Sequence, residues 1–253
     1  MIPYLKLTDL NNNVYNFPDD FWIKDDPADT NKNVVNSAYA AGGKNIADGY
    51  LNARIITIGG QIRGDSLAAY ETKYRAFISA ILKGGRLSKS TDAVSRYIDV
   101  KHPDISTGEE MLQKYKEVTI NFLCEYPFWK DTVQTSEENI VSGNDSFDID
   151  NTGSDFLVIP TIEIEADQGA DIPSVVMTQN SDGAMVFNYN NPNFVQGDSL
   201  VINCEEGTVT LNNGSTIEYF NPARFFRLQP GVNSISYEGA ACTIRFKFRK
   251  VYL

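Results

Sequence analysis

Two glutamates spaced two residues apart, Glu163 and Glu165 in "PTIEIEA", fall on one face of an extended strand. Paired carboxylates in that position could serve as acid and base on a glycosidic bond. The same alternation sends Ile162 and Ile164 to the opposite face, so the isoleucines enter the core and the glutamates face water. "DIDNTGSD" starts like a calcium loop, with Asp148, Asp150 and Gly153 at the right spacing, but Ile159 stands where the closing bidentate glutamate belongs. The one histidine, His102 in "VKHPD", supports neither a zinc site nor a Ser-His-Asp triad. "GGQIRG" lacks the strand-to-helix context of a phosphate loop, and "RGD" at Arg63 to Asp65 is a three-letter coincidence at a helix start. Cys124, Cys204 and Cys242 form no CxxC pair and each lies in an alternating apolar run, which reads as buried free thiols. The aromatics Tyr189, Phe194, Tyr219 and Phe220, near asparagine-rich loops, could stack on sugar rings. No catalytic, cofactor-binding or metal-binding residues are expected, and an enzyme is the least favoured class.

The elements that must position these residues are mostly strands. A chain of 253 residues can bury one large core or two ordinary ones. No run approaches the ~18 apolar residues of a membrane span, and "MIPYLKLTDLNNN" has no basic region followed by an apolar run, so neither an anchor nor a signal peptide is expected. The net charge of −11 is unevenly placed: Met1 to Lys130 holds 16 acidic and 16 basic residues, and no Lys or Arg occurs between Lys130 and Arg224. That change points to two domains, 1–130 and 156–253, with a polar junction at 131–155. An acidic surface repels phosphates, which argues against sequence-specific nucleic-acid binding.

In the first half, "MIPYLKLTDLNNNVYNF" reads as two strands around an asparagine-rich turn. "NKNVVNSAYAAGGKNIADGYLN" is too long for a turn and too polar for a core element, as expected of an excursion that contacts something else. "LNARIITIGGQIR" reads as a strand with a bulge at Gly59-Gly60. "DSLAAYETKYRAFISAILKGG" is the one helix, of about 18 residues, with an apolar stripe of Leu67, Tyr70, Tyr74, Phe77, Ile78 and Ile81. Asp65 or Ser66 caps its start, and Gly84-Gly85 gives the left-handed exit. In "KEVTINFLCEYPFW", Val118, Ile120, Phe122 and Cys124 share one face.

The second half is strand after strand, from "VIPTIEIEA" to "NSISYE" and "CTIRFKFRKVY", with an Asn-Gly hairpin signal in "LNNGST". No helical period appears there, and short strands with regular turns mean a β-sandwich. In the last strand Ile244, Phe246 and Phe248 face the core, so the chain ends on a structural member that closes the sandwich.

Taken in order, these segments resemble the distal tail proteins of long-tailed bacteriophages, the tail-hub or Dit family. The resemblance is carried by "ARIITIGGQIRGDSLAAYETKYRAFISAIL", "VTINFLCEYPFW", "NTGSDFLVIPTIEIEA", "GDSLVINCEEGTVTLNNGS" and "FFRLQPGVNSISYEGAACTIRFKFRKVYL". It implies a mainly β fold: an N-terminal β-sandwich-like domain with one long helix and an extended arm, then a galectin- or carbohydrate-module-like sandwich. It also implies a structural virion protein at the distal end of the tail, made in the cytoplasm of a bacterial host. Six copies would form a ring around the DNA exit, joining the tail tube protein to a tip or tail-associated lysin-like protein. In some relatives receptor-binding proteins attach as well. By this resemblance "NKNVVNSAYAAGGKNIADGY" becomes the clasping arm, with Asn36, Tyr39, Ile46 and Tyr50 at the contact between copies. No cofactor and no membrane insertion are implied. The rival reading is a carbohydrate-binding module for a cell-wall or host-surface polysaccharide, using Tyr189, Phe194 and Tyr219.

Overall fold

The computed structural model of the chain describes residues 4–26, 45–46, 49–50, 53–91, 94–101, 103–108, 115–180, 185–215, 219 and 225–253. It is mainly β, and it divides into two compact units between Thr132 and Val133.

The first unit opens with β1 (Tyr4–Thr8) and β2 (Val14–Asn16). Asp9 holds the turn between them: its carboxylate accepts from the backbone amides of Asn11 (2.9 Å) and Asn13 (2.8 Å) and from the Asn13 side chain (3.0 Å). Asn12 adopts the left-handed conformation that such a turn demands, φ 63°. Next come β3 (Trp22–Asp25), β4 (Asn45–Ile46), β5 (Gly49–Tyr50), β6 (Arg54–Arg63) and α1 (Leu67–Ile81). The unit continues with β7 (Gly85–Ser90), β8 (Ser95–Val100), β9 (Asp104–Thr107), β10 (Tyr115–Cys124) and β11 (Trp129–Asp131). One antiparallel sheet runs β2-β1-β7-β8-β11 and a second runs β3-β6-β10-β9, while β4 and β5 make a separate two-stranded ladder.

Ser66 caps α1 by accepting from the amide of Ala69, and Gly84 (φ 65°) gives the left-handed exit. The helix has 15 residues, fewer than its pattern suggested. Tyr70, Phe77 and Ile81 are buried, whereas Leu67, counted into the apolar stripe, is exposed on the first turn. Phe77 is the centre of an aromatic cluster with Tyr15, Phe17 and Phe21, ring centroids 5.3–6.2 Å away. Burying such rings is the main stabilising contribution at this end of the unit.

The expected bulge at Gly59-Gly60 is absent. β6 pairs with β10 in unbroken register from Arg54 opposite Cys124 to Arg63 opposite Tyr115. The glycines serve close approach instead: a Cβ on Gly59 would collide with the Lys24 side chain, and one on Gly60 with the Phe21 ring.

The second unit contains β12 (Thr135–Asn151), β13 (Thr161–Glu165), β14 (Ser174–Gln179), β15 (Met185–Asn190) and β16 (Ser199–Asn203). It ends with β17 (Thr208–Leu211), β18 (Gly214–Ser215), β19 (Gly231–Phe248) and β20 (Val251–Tyr252). The stretch 131–155, read as a polar junction in which short strands are possible, holds β12, which pairs with β19 from Thr135 to Asn151. "NSISYE" and "CTIRFKFRKVY", read as two strands, are largely the single 18-residue strand β19.

β19 organises the unit. Its first half lies between β14 and the far half of β12; its second half lies between β13 and the near half of β12. The register shifts between Val141 and Gly143, and there the sheet folds over itself. A contact within β12 demonstrates the fold: the Glu137 carboxylate accepts from the Asp150 amide at 3.0 Å. Those residues are thirteen apart, about 43 Å along a straight strand. The two layers enclose Ile162, Ile164, Val175, Met177, Ile235, Ile244 and Phe246, all buried. Phe226 links the layers, its ring 6.4 Å from Phe187 and 6.3 Å from Phe246. This is the curled sheet sandwich that period-two alternation requires. The β17–β18 turn is made by Asn212 (φ 49°) and Asn213 (φ 68°), one residue before the Asn-Gly pair that marked it.

Candidate functional site

The paired glutamates are committed to a cross-strand ion ladder. Arg245 of β19 reaches Glu138 of β12 and Glu165 of β13, each at 2.6 Å, and Lys247 reaches Glu163 at 2.6 Å. Ile162 and Ile164 are fully buried behind them. The glutamates therefore face outward as alternation dictated, but onto a neighbouring cation rather than only onto water. Three alternating carboxylates and two cations on adjacent strands stabilise register, and none is left as a proton donor beside an open cleft.

The calcium-like string is spent on local turns. Asp150 accepts from the Thr152 amide at 2.7 Å, and the hydrogen bonds from Thr152 hold its carboxyl below the usual range. Among the described residues no group of three or more His, Cys, Asp or Glu side chains could hold a metal ion. His102 lies outside the described residues. The three cysteines are free and buried, and burial pushes the thiols of Cys124 and Cys204 up to about 12 and that of Cys242 to about 11.

Two of the three residues assigned to a glycan are core. Tyr189 and Phe194 are 0% exposed, packed edge to face at 6.2 Å, and the Tyr189 hydroxyl accepts from the Asn191 side chain at 2.8 Å. A ring without an exposed face cannot stack on a sugar. Tyr219 is half-buried against Tyr189, and Phe220 lies outside the described residues. Tyr189 faces inward with Phe187 because alternate residues of β15 share one face, and Phe194 packs on it from the loop that follows.

Of the residues assigned to contact between copies, Asn36 and Tyr39 lie outside the described residues. Ile46 and Tyr50 are in the β4–β5 ladder, where Asn45 pairs with Tyr50 and Ile46 with Gly49. At the root of this excursion the structure places an ionic knot that the one-letter pattern does not reveal. The Arg54 guanidinium is almost wholly buried; it pairs with the Asp26 carboxylate at 2.5 Å and donates to the carbonyls of Asp26 and Pro127, each at 2.9 Å. Asp26 also accepts from the Trp129 indole at 3.0 Å and faces the Lys89 ammonium at 3.5 Å. That ammonium lies 3.8 Å from the centre of the Trp129 ring, and burial pulls its pKa down while Asp26 opposes the shift. The four residues are scattered over a hundred positions, so only the pairing of strands assembles them.

A groove of about 380 Å³ runs beside α1, floored by Tyr15, Ile62 and Phe77. Its charged groups are Asp20, Arg63 and Lys73; Asp20 and Arg63 are exposed and pair at 3.7 Å, and the Lys73 ammonium donates to the Arg63 carbonyl at 3.1 Å. Nothing there converges on a reacting atom.

The second unit is a curled β-sandwich with a paired Glu138, Glu163, Glu165, Arg245 and Lys247 ladder on its outer face. Residues 140–252 match the family of siphovirus-type tail components, C-terminal domain. The chain carries that match within its second unit, Val133–Tyr252. Over 100% of both chains it shares the fold of the Dit protein (gp 19.1) of SPP1, a hub adsorption apparatus protein of phages infecting Gram-positive hosts. The TM-score is 0.67 and the identity 14%. Weaker likenesses, at 12% identity, are to the baseplate of phage P2 in its activated conformation with Ca (TM-score 0.47) and with Sr (0.48). Each covers 99% of this chain and 98% of the other. No curated protein matches the chain in sequence.

Proposed function

We propose that this chain is a non-enzymatic hub at the distal end of the tail, with six copies closing a ring that joins the tail tube to the tip or baseplate. DNA leaves through the centre of that ring. The observation that carries this reading is the full-length fold likeness to a hub protein, together with the tail-component domain in residues 140–252. Cyclic closure by one repeated heterologous contact is physically ordinary. The balanced charge of the first 130 residues suits a surface covered by copies of itself, and the lack of Lys and Arg between Lys130 and Arg224 suits an outward appendage. A conduit for DNA should not grip it, which agrees with the absence of a basic stripe in the sequence. The second unit offers its outer faces to neighbouring tail proteins or to receptor-binding proteins. The sugar-binding alternative is weakened by the burial of Tyr189 and Phe194.

Negative-stain microscopy of the purified chain tests the reading. Rings with a sixfold hole are expected; a monomer at every concentration that binds host-wall polysaccharide would replace the hub with the carbohydrate module.

A further inference from the structure

We propose that the near half of β12, residues 135–141, is a docking edge on which an extended segment of another protein adds as a strand, with a lysine or arginine opposite Glu138 and an apolar residue opposite Ile140. The inference rests on the reading of the second unit as a body to which neighbouring proteins attach, and it does not depend on the ring.

The first observation is which backbone groups face outward. Among the described residues β12 pairs with β19 alone, so one side of its backbone has no partner strand. The amides of Cys204 and Ala166 donate to the carbonyls of Pro160 and Asp198, at 3.2 and 3.0 Å. In an antiparallel ladder that turns Ile162 and Ile164 of β13 toward β16, and Glu163 and Glu165 toward β19. Carried one strand further, the alternation turns Glu137 and Asn139 toward β19, and Ser136, Glu138 and Ile140 outward. In the far half the Asn180 amide donates to the Ser234 carbonyl at 3.1 Å, so Ser146, Asp148 and Asp150 are the outward residues there.

The two halves treat these groups differently. In the far half carboxylates of β12 itself hold outward amides: Asp145 accepts from Ser146 at 2.8 Å, and Glu137 from Asp150 at 3.0 Å. An edge whose donors are occupied resists strand addition. In the near half no side chain of the described residues caps Ser136, Glu138 or Ile140, and all three are exposed, Ile140 at 67%. That half also contains neither proline nor lysine, the usual guards of an edge.

The second observation is the charge row that ends at this margin. Glu163, Arg245 and Glu138 lie opposite one another on β13, β19 and β12, in the order negative, positive, negative. Arg245 is shared by Glu138 and Glu165, and Lys247 is held by Glu163, so three carboxylates face two cations. Glu138 closes the row with its side chain 52% exposed. A further strand continues the alternation only if it brings a cation there, since opposite charges across strands attract and like charges repel. In the next row the exposed Ile140 asks for an apolar neighbour, and in the row on the other side Ser136 accepts a small polar one.

The test uses the full-length chain and a synthetic peptide, acetylated and amidated, of sequence Thr-Val-Thr-Lys-Thr-Ser-Thr. Laid antiparallel on β12, it sets its valine beside Ile140 and its lysine beside Glu138. Hydrogen exchange read by mass spectrometry should slow across residues 135–141 at about millimolar peptide and stay unchanged across 144–150. The same peptide with glutamate for lysine should bind about tenfold more weakly, and Glu138→Lys should reverse that order. Ile140→Pro removes one outward amide without touching the ladder to β19, and it should abolish the slowing while the protein still melts cooperatively. If that variant does not fold, the charge reversal at the exposed Glu138 decides alone. Equal binding of the two peptides, no slowing across 135–141, or slowing across 144–150 instead overturns the edge. Slowing across 135–141 that grows with the concentration of the chain itself, without peptide, puts a second copy there and overturns the foreign segment. A chain that shows the expected peptide response but forms no rings loses the hub reading and keeps the docking edge.

Discussion

The hydroxyl of Tyr237 donates a 2.5 Å hydrogen bond to the carbonyl of Ala240, three residues further along the same strand. This bond sits where β19 passes from one layer of the second unit to the other. The Cys242 thiol lies 3.3 Å from the same oxygen, and a Cβ on Gly239 would collide with it. The corner is thus built from a buried tyrosine that satisfies a carbonyl freed by the bend. Replacing Tyr237 with Phe leaves that carbonyl unpaired and should lower the stability of the second unit by about 1–3 kcal/mol. Urea unfolding checks this; an unchanged midpoint would show that the corner does not depend on the bond.

The β1–β2 turn should respond to acid. Three hydrogen bonds from Asn11 and Asn13, with Lys83 nearby, bring the Asp9 carboxyl from 3.8 down to about 2. A carboxylate with a folded pKa below its unfolded value stabilises the fold at pH above the unfolded value, and that contribution disappears as pH falls through the folded one. Stability should therefore decline between about pH 4 and pH 2, and Asp9→Asn should flatten the decline. Melting temperatures of both proteins across that range decide it, and parallel curves would exclude Asp9 as a contributor.

The thiols should be inert in the native protein. Burial raises all three well above the ordinary cysteine value, so little thiolate exists at neutral pH. Iodoacetamide at pH 8 is expected to leave Cys124, Cys204 and Cys242 unmodified until denaturant is added. Rapid native labelling of any one, seen by mass spectrometry, would contradict its placement.

The ion ladder should matter little to stability. Arg245 and its partners Glu138 and Glu165 are all partly exposed, and exposed pairs contribute about 1 kcal/mol or less. Glu165→Gln should shift the unfolding midpoint only slightly, and less still in high salt. A large loss that persists in salt would mean that the ladder is a structural centre.

Much of the fold is legible in short-range pattern. Ile162 and Ile164, or Ile244, Phe246 and Phe248, alternate with polar neighbours, and burial follows because a strand turns successive side chains to opposite faces. The helix is legible from its stripe and its glycine exit, and Asp9 and Asn12 from turn chemistry. β12 was not, because ten of its seventeen side chains are exposed and a polar edge strand looks like a linker. β19 looked broken because Gly239, Ala240 and Ala241 resemble a turn, whereas they are the small residues a sharp bend needs.

The local alternation of apolar and polar residues by itself determined that this is a strand-built protein with buried thiols, and the uneven placement of charge pointed to two units. Tertiary structure alone decided that Tyr189 and Phe194 point inward and that Asp26, Arg54, Lys89 and Trp129 meet. The physical reason is range: the face a side chain takes depends on its immediate neighbours, but which strand lies beside which depends on contacts between residues far apart in the chain.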